Sequence, residues 1–475
     1  MLLPLVFLAF FGILGAQSRL LQVQNNTFNS FFDLSRAQIK RHNLSEDLAN
    51  NVEVALNFER TNWATGSVAS DRFFKAPTFN ASVPPGTLLS VEEETDTSNF
   101  TLPPNLALSR ILYVSANLNG SIIPTSAYIL WPWQAKSFKD SKVNVSGVPV
   151  VGWGHGTSGL FGECGPSHIR NLWYQFSAPY ILALQGYAVV APDYAGLGVN
   201  KTASGEPILH QYLASPAHAN DMFYAIEAAR TAFPELCKAF VTMGHSQGGG
   251  AAWAAAQRQV HTPVEGYLGT VAGSPVTDIV DTIRVSPVGY SILAARFAQG
   301  MKSVFPSFEP KDWLTEEGLK RFRLYQSLSG CNSVELQLFD SSFLFKSNWH
   351  ESWYMQKYRD LTATGGRPIS GPMLVLQGMS DVGVNPHIVE TWYRKTCSMY
   401  PDSQIQYAAF TGVTHVPVLN AGQQIWLKWI EDRFMGVEAE AGCHYQLHKP
   451  LRAVDSYQTE LAYYQQIALE DYTVA

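Results

Sequence analysis

Three residues of this chain have the types that acyl transfer through a serine requires: Ser246, Asp381 and His415. A hydroxyl is a poor nucleophile until an imidazole removes its proton, and the imidazole needs a carboxylate to fix its tautomer and steady its charge. Ser246 lies in VTMGHSQGGGAAWAAA, between Gly244 and Gly248, where an apolar run gives way to an alanine-rich one. The string Gly-x-Ser-x-Gly is weak evidence alone; on a strand-to-helix turn it becomes strong. There the glycines remove side chains that would collide across a sharp bend, and the bend projects the serine hydroxyl out of the sheet. Asp381 follows the apolar PMLVLQG and His415 follows IQYAAFTGVT, so nucleophile, acid and base occur in the order this arrangement uses.

Each assignment has a rival. Asp381 reads alternatively as a helix cap, with Asp340 or Glu390 as substitutes that lack the strand-end context. His415 reads alternatively as a satisfied loop histidine, with His387 the competing base because it too lies near a strand end. His245 directly precedes Ser246 and points away from it, so it reads as a wall of the site. The developing oxyanion needs donors. The Gln247 N–H at the positive end of the helix is one, and Thr157 in VVGWGHGTSG is the second, with Gly156 as the neighbouring alternative and a purely structural turn as the bland one.

These residues need strand ends to sit on. From about residue 110, ILYVSA, SAYILWPW, VPVVGWGHG, YAVVAPDYAGLG, AFVTMGHS and GYLGTVAGS are short apolar runs, several ending in Gly, Asp or Ser. SPAHANDMFYAIEAARTAF and GGAAWAAAQRQV between them are helical patterns. Such alternation predicts an α/β fold with a mostly parallel sheet covered on both faces. Residues 276 to 370 break it with helical, aromatic sequence, and strand chemistry resumes at 371 to 381 and 406 to 415, so the middle block reads as an insertion. Within it Tyr290, Leu293, Phe297, Met301 and Phe305 recur at helical spacing and read as core more than as a lipid-facing surface. Upstream, LSEDLANNVEVALNFERT predicts a helix capped by Ser45, and residues 71 to 105 read as surface loop. Asp193 in APDYAGLG reads as structural or as lining an acyl pocket.

The 475 residues are 46% hydrophobic and 15% charged, enough for one large domain with an insertion or for two domains. A net charge of -6 with no basic run argues against nucleic acid as a partner. MLLPLVFLAFFGILGA reads as a signal peptide ending near Ala16, too short to span a bilayer, and no later stretch suggests a transmembrane anchor. Secretion predicts sequons and disulfides. Sequons occur at Asn25, Asn43, Asn80, Asn99, Asn119, Asn144 and Asn200, and none lies beyond residue 200. Five cysteines leave at least one unpaired or bonded to another chain, and Cys237, leading into an apolar run, is the candidate for a buried free thiol. No CxxC or His-Glu-x-x-His spacing is present, so a metal site is not expected.

The elbow GHSQGG, DRFFKAP followed by PPGTLL (71 to 89), GYAVVAPDYAGLG (186 to 198), LQGMSDVGVNP and TGVTH together resemble the fungal secretory lipase family of α/β-hydrolases, in that family's order. The resemblance covers roughly residues 70 to 435. It implies cofactor-free hydrolysis of lipid or other carboxylic esters at a lipid–water interface, under a lid made by the insertion. It also implies disulfides Cys164–Cys331 and Cys397–Cys443, leaving Cys237 free. The His155-Gly156-Thr157 turn departs from that family toward the wider hydrolase class, and residues 17 to 70 and the tail after about 436 have no counterpart beyond Cys443.

The expectation is an α/β-hydrolase fold: signal peptide 1–16, N-terminal extension 17–105, core 106–275, lid 276–370, core 371–436 and tail 437–475. The activity expected is that of a secreted serine esterase or lipase acting on triacylglycerols or other esters. A peptidase of the same fold and an inactive hydrolase-fold binding protein are the alternatives.

Overall fold

The computed structural model describes residues 30–80, 82–285, 291–339 and 344–458. The expected signal peptide, Asn25, Tyr290 and Asp340 lie outside the described residues, as does the Leu293 side chain.

Ten strands form one sheet in the order β1-β2-β3-β5-β4-β6-β7-β8-β9-β10. They are β1 Leu88–Glu92, β2 Ala107–Ala116, β3 Ile122–Trp131, β4 Val148–Gly154, β5 Ala188–Pro192, β6 Leu236–His245, β7 Tyr267–Gly273, β8 Met373–Gly378, β9 Ile405–Phe410 and β10 Cys443–His448. The pairs from β5 through β10 are parallel, and β1, β2 and β3 join antiparallel at one edge. This is the α/β-hydrolase fold.

The central strands read as continuous apolar runs because both faces are covered. On β8, Met373 and Val375 enter one buried cluster with Val389 and Tyr393, while Leu374 and Leu376 enter another with Trp426, Trp429 and Ile430. In chain order the helices are α1 Arg36–Arg41, α2 Glu46–Thr61, α3 Pro179–Leu184, α4 Ser215–Ala232, α5 Gln247–His261, α6 Ile279–Val285, α7 Ser291–Val304, α8 Glu316–Leu328, α9 Asn332–Leu338, α10 Trp353–Thr362, α11 Pro386–Met399, α12 Pro417–Ala421 and α13 Gln423–Met435. The buried alanines 251, 252 and 254–256 of α5 let that helix lie close to the sheet.

Helices α6–α10 fall between β7 and β8, an inserted helical region with its own core. Phe297 and Met301 are fully buried in it, as the helical spacing predicts. Leu48, Val52, Ala55 and Leu56 from α2 join the same core, so the N-terminal segment packs against the insertion. Helix α2 starts where its sequence directs: Ser45 accepts the Leu48 N–H (3.2 Å), and Glu46 and Asp47 sit in the first turn. Its other end reaches the insertion, where the Glu59 carboxylate accepts the backbone N–H groups of Cys331 (2.8 Å) and Val334 (3.1 Å).

One reading needs correction: residues 71 to 105 are not all loop, since Leu88–Glu92 pairs with β2 as an edge strand. In the tail, Cys443–His448 pairs in parallel with β9. Disulfides join Cys164 to Cys331 and Cys397 to Cys443, and Cys237 is buried and free. Asn43, Asn80, Asn99, Asn119 and Asn144 are exposed, whereas Asn200 is half-buried. Among the described residues, no helix is long and apolar enough to cross a membrane.

Candidate active site

The parallel strands end together on one edge of the sheet, and the selected residues lie just past those ends. Ser246 follows β6 directly, Thr157 lies beyond β4, Asp381 beyond β8 and His415 beyond β9. Ligands of open α/β sheets bind at this carboxyl edge.

Ser246 caps α5 with φ 59 and ψ −117, a conformation that strains any residue with a Cβ. Its backbone is held there by its N–H to the Gly273 carbonyl (2.9 Å) and its carbonyl from Gly250 N–H (3.0 Å). Gly248 is needed for a close approach: a Cβ on it would lie 1.9 Å from the Gly154 carbonyl oxygen at the end of β4.

His415 Nδ1 lies 2.8 Å from Asp381 Oδ2. A carboxylate only accepts, so Nδ1 carries the proton in this bond, and in the neutral ring Nε2 keeps its lone pair. Asp381 is itself fixed, with Oδ1 accepting from the N–H groups of Gly383 and Val384 (2.8 Å each) and Oδ2 from Gln377 Nε2 (3.2 Å). Burial alone would raise its pKa, but His415 and the Val384 N–H outweigh burial and hold it below the ordinary value. Asp381 does not cap α11, because Asn385 does. The rival His387 is exposed on the first turn of that helix, and Glu390 bonds Arg394.

His245 is fully buried, and burial with the nearby His415 lowers its pKa to about 3. The ring is therefore neutral. Its Nε2–H donates to the His415 carbonyl (3.0 Å), so Nδ1 must accept from the Tyr174 hydroxyl (2.7 Å). This places the backbone of His415 beside the residue that precedes Ser246, with the two imidazoles 4.6 Å apart. Tyr174 carried no sequence signal, lying 71 residues from its partner.

Gly156 packs directly on the elbow: a Cβ there would lie 3.3 Å from Ser246 Cβ and 2.1 Å from the Tyr174 hydroxyl. Its carbonyl accepts the Trp173 indole N–H (3.2 Å) and lies 2.7 Å from His155 Nδ1. In a trans peptide the N–H opposes the C=O, so the Thr157 N–H faces away from those two rings. The Thr157 hydroxyl donates to Gln247 Oε1 (3.0 Å). Gln247 Nε2 donates to His210 Nε2 (3.0 Å), whose Nδ1–H goes to the Ala195 carbonyl (3.0 Å). Burial lowers the His210 pKa to about 4, keeping the ring neutral as these bonds require. The Gln247 N–H opens α5 and has no acceptor within the helix.

Asp193 lies outside this set. Its carboxylate is fully buried and accepts from the Ser126 hydroxyl (2.5 Å) and from the Ser167 hydroxyl (2.5 Å) and N–H (2.7 Å), a structural role.

The sequence pattern of the alpha/beta hydrolase family matches residues 150–425, more than half of the chain. No curated protein sequence matches it. Among solved structures the fold is similar to Candida antarctica lipase A, with 16% identity and a TM-score of 0.64 over 82% of this chain and 91% of that one. It is also similar to the rice cell wall degrading esterase LipA from Xanthomonas oryzae, with 16% identity and a TM-score of 0.58 over 74% and 99%. A putative hydrolase from Legionella pneumophila has 16% identity and a TM-score of 0.53 over 72% and 98%.

Proposed function

The chain belongs to the alpha/beta hydrolase family, and we propose that it is a secreted serine ester hydrolase of the lipase kind, acting on carboxylic esters, triacylglycerols among them. The observation that carries this reading is the bond between His415 Nδ1 and Asp381, on the sheet edge where Ser246 occupies its strained turn. In the proposed reaction His415 Nε2 takes the Ser246 proton as the hydroxyl attacks the ester carbonyl. The oxyanion settles on the N–H groups of Gln247 and Thr157. His415 then protonates the departing alcohol, and water repeats the sequence on the acyl-enzyme. Asp381 stays ionised throughout, and its lowered pKa suits that task.

Ester rather than peptide chemistry is favoured by the named neighbours, a lipase and an esterase. The inserted helical region is the proposed lid. Two disulfides fit an oxidising compartment, and the exposed sequons are proposed glycosylation sites.

Hydrolysis of short- and long-chain p-nitrophenyl esters and of emulsified triglyceride tests the substrate class. Long-chain and emulsion activity is expected. Activity confined to short soluble esters would keep the mechanism and make the insertion a size filter, and absence of all ester hydrolysis would overturn the reading.

A further inference from the structure

Thr157 is held from the inserted helical region by a residue remote from Ser246 in the sequence. The Arg296 guanidinium, on α7, reaches three groups. It donates to Glu335 Oε2 (2.5 Å), to Asn332 Oδ1 (3.1 Å) and to the Tyr212 hydroxyl (3.4 Å). Two of these partners continue to Thr157. Asn332 Nδ2 donates to the Thr157 carbonyl (2.8 Å), and the Tyr212 hydroxyl lies 3.3 Å from Thr157 Oγ1. The Thr157 hydroxyl has one proton and gives it to Gln247 Oε1, so Tyr212 must be the donor in the second contact.

We propose that Arg296 is a positioning residue of the oxyanion hole: through Asn332 and Tyr212 it fixes Thr157 from two sides and keeps its N–H in register with that of Gln247. The inference rests on the assignment of those two N–H groups as oxyanion donors. A planar guanidinium can address three partners in fixed directions at once, which a lysine ammonium cannot match. The surroundings reinforce the link. Cys331 pairs with Gly159 and is disulfide-bonded to Cys164, which brings Asn332 against the loop that carries Thr157. Arg296 is only 11% exposed and Glu335 is fully buried, so the fork is sheltered from water. The insertion would then complete the catalytic machinery as well as cover it.

The test is steady-state hydrolysis of a soluble p-nitrophenyl ester, with rates expressed per active site titrated by a phosphonate and folding followed by thermal unfolding. Arg296→Lys keeps the charge but loses the fork. The double variant Arg296→Met/Glu335→Gln removes both members of the pair and leaves no unpaired buried charge. Tyr212→Phe removes one oxygen atom and decides the matter if the charge variants do not fold.

The expected result is a fall in kcat per titrated site of about tenfold or more in the Arg296 variants, with KM changed less than about twofold, as displacement of an oxyanion donor requires. Tyr212→Phe should give a smaller loss, largely absorbed when combined with the double variant. An unchanged kcat per titrated site in the folded double variant and in Tyr212→Phe overturns the proposal, whatever happens to the melting temperature. Full activity of Ser246→Ala is a separate outcome: it would remove the functional reading, and this inference with it.

Discussion

At the scale of single residues, the site stores strain at Ser246 and withholds water from the groups that hold it. A φ of 59 with ψ −117 suits glycine and no other residue. Ser246→Gly should therefore abolish hydrolysis while stabilising the fold by about 1 kcal/mol, measured by denaturant unfolding. Unchanged or lower stability would mean that the turn is unstrained. Asp381→Asn should leave the fold intact but lower kcat by about 10³–10⁴-fold, because an amide can favour the wrong imidazole tautomer. A loss under tenfold, in a kinetic comparison at neutral pH, would show that Asp381 does not orient the base. The strand-end positions of Ser246, Asp381 and His415 were legible in the sequence because each sits just after an apolar run that must be a strand. Tyr174, Tyr212, Arg296 and Asn332 were not, because their contacts span 36 to 175 residues and leave no local pattern.

Among elements, burial decides which strands show in the sequence. The central strands announce themselves because burial on both faces demands continuous apolar residues. The edge strands β1 and β10 are half-exposed, and in LLSVE and CHYQLH polar residues interrupt the apolar ones, so neither shows the continuous apolar run of a central strand. The insertion was visible as a lapse in strand chemistry, but the packing of α2 into its core was not, since an amphipathic helix does not reveal its partner. Strand β10 is held at the sheet edge by its ladder with β9 and by Cys397–Cys443, which closes a loop of 46 residues. Replacing both cysteines by serine should lower stability by about 2–4 kcal/mol in thermal or denaturant unfolding, by freeing the unfolded chain. Proteolysis should then release the tail first; equal stability with and without the bridge would contradict this.

For the whole molecule, buried titratable groups of opposite tendency balance one another. Burial lowers His155 and His210 to about 4 and, aided by His415, His245 to about 3, so below 6.5 the unfolded chain binds protons that the folded chain refuses. This makes stability fall as pH drops from 6.5 toward 4. Burial raises Asp193 to about 6, and Asp221 and Glu59 to about 7, so over the same range the folded chain keeps protons that the unfolded chain releases. Their contribution is greatest at low pH and is lost as pH rises through 6 to 7. His218, stacked on His210, is lowered by burial as well, and burial raises Glu335 to about 7, so four groups oppose four and the melting temperature should change little between pH 4.5 and 6.5. A steep slope in either direction, in a buffer series of constant ionic strength, would mean that one set dominates. The proposed mechanism requires a working serine at the end of β6. The most direct measurement is to treat the purified chain with a serine-directed phosphonate and locate the adduct by peptide mass spectrometry. One adduct per chain on Ser246, formed with parallel loss of ester hydrolysis, is the predicted result; no adduct, or one on another serine, would contradict the proposed mechanism.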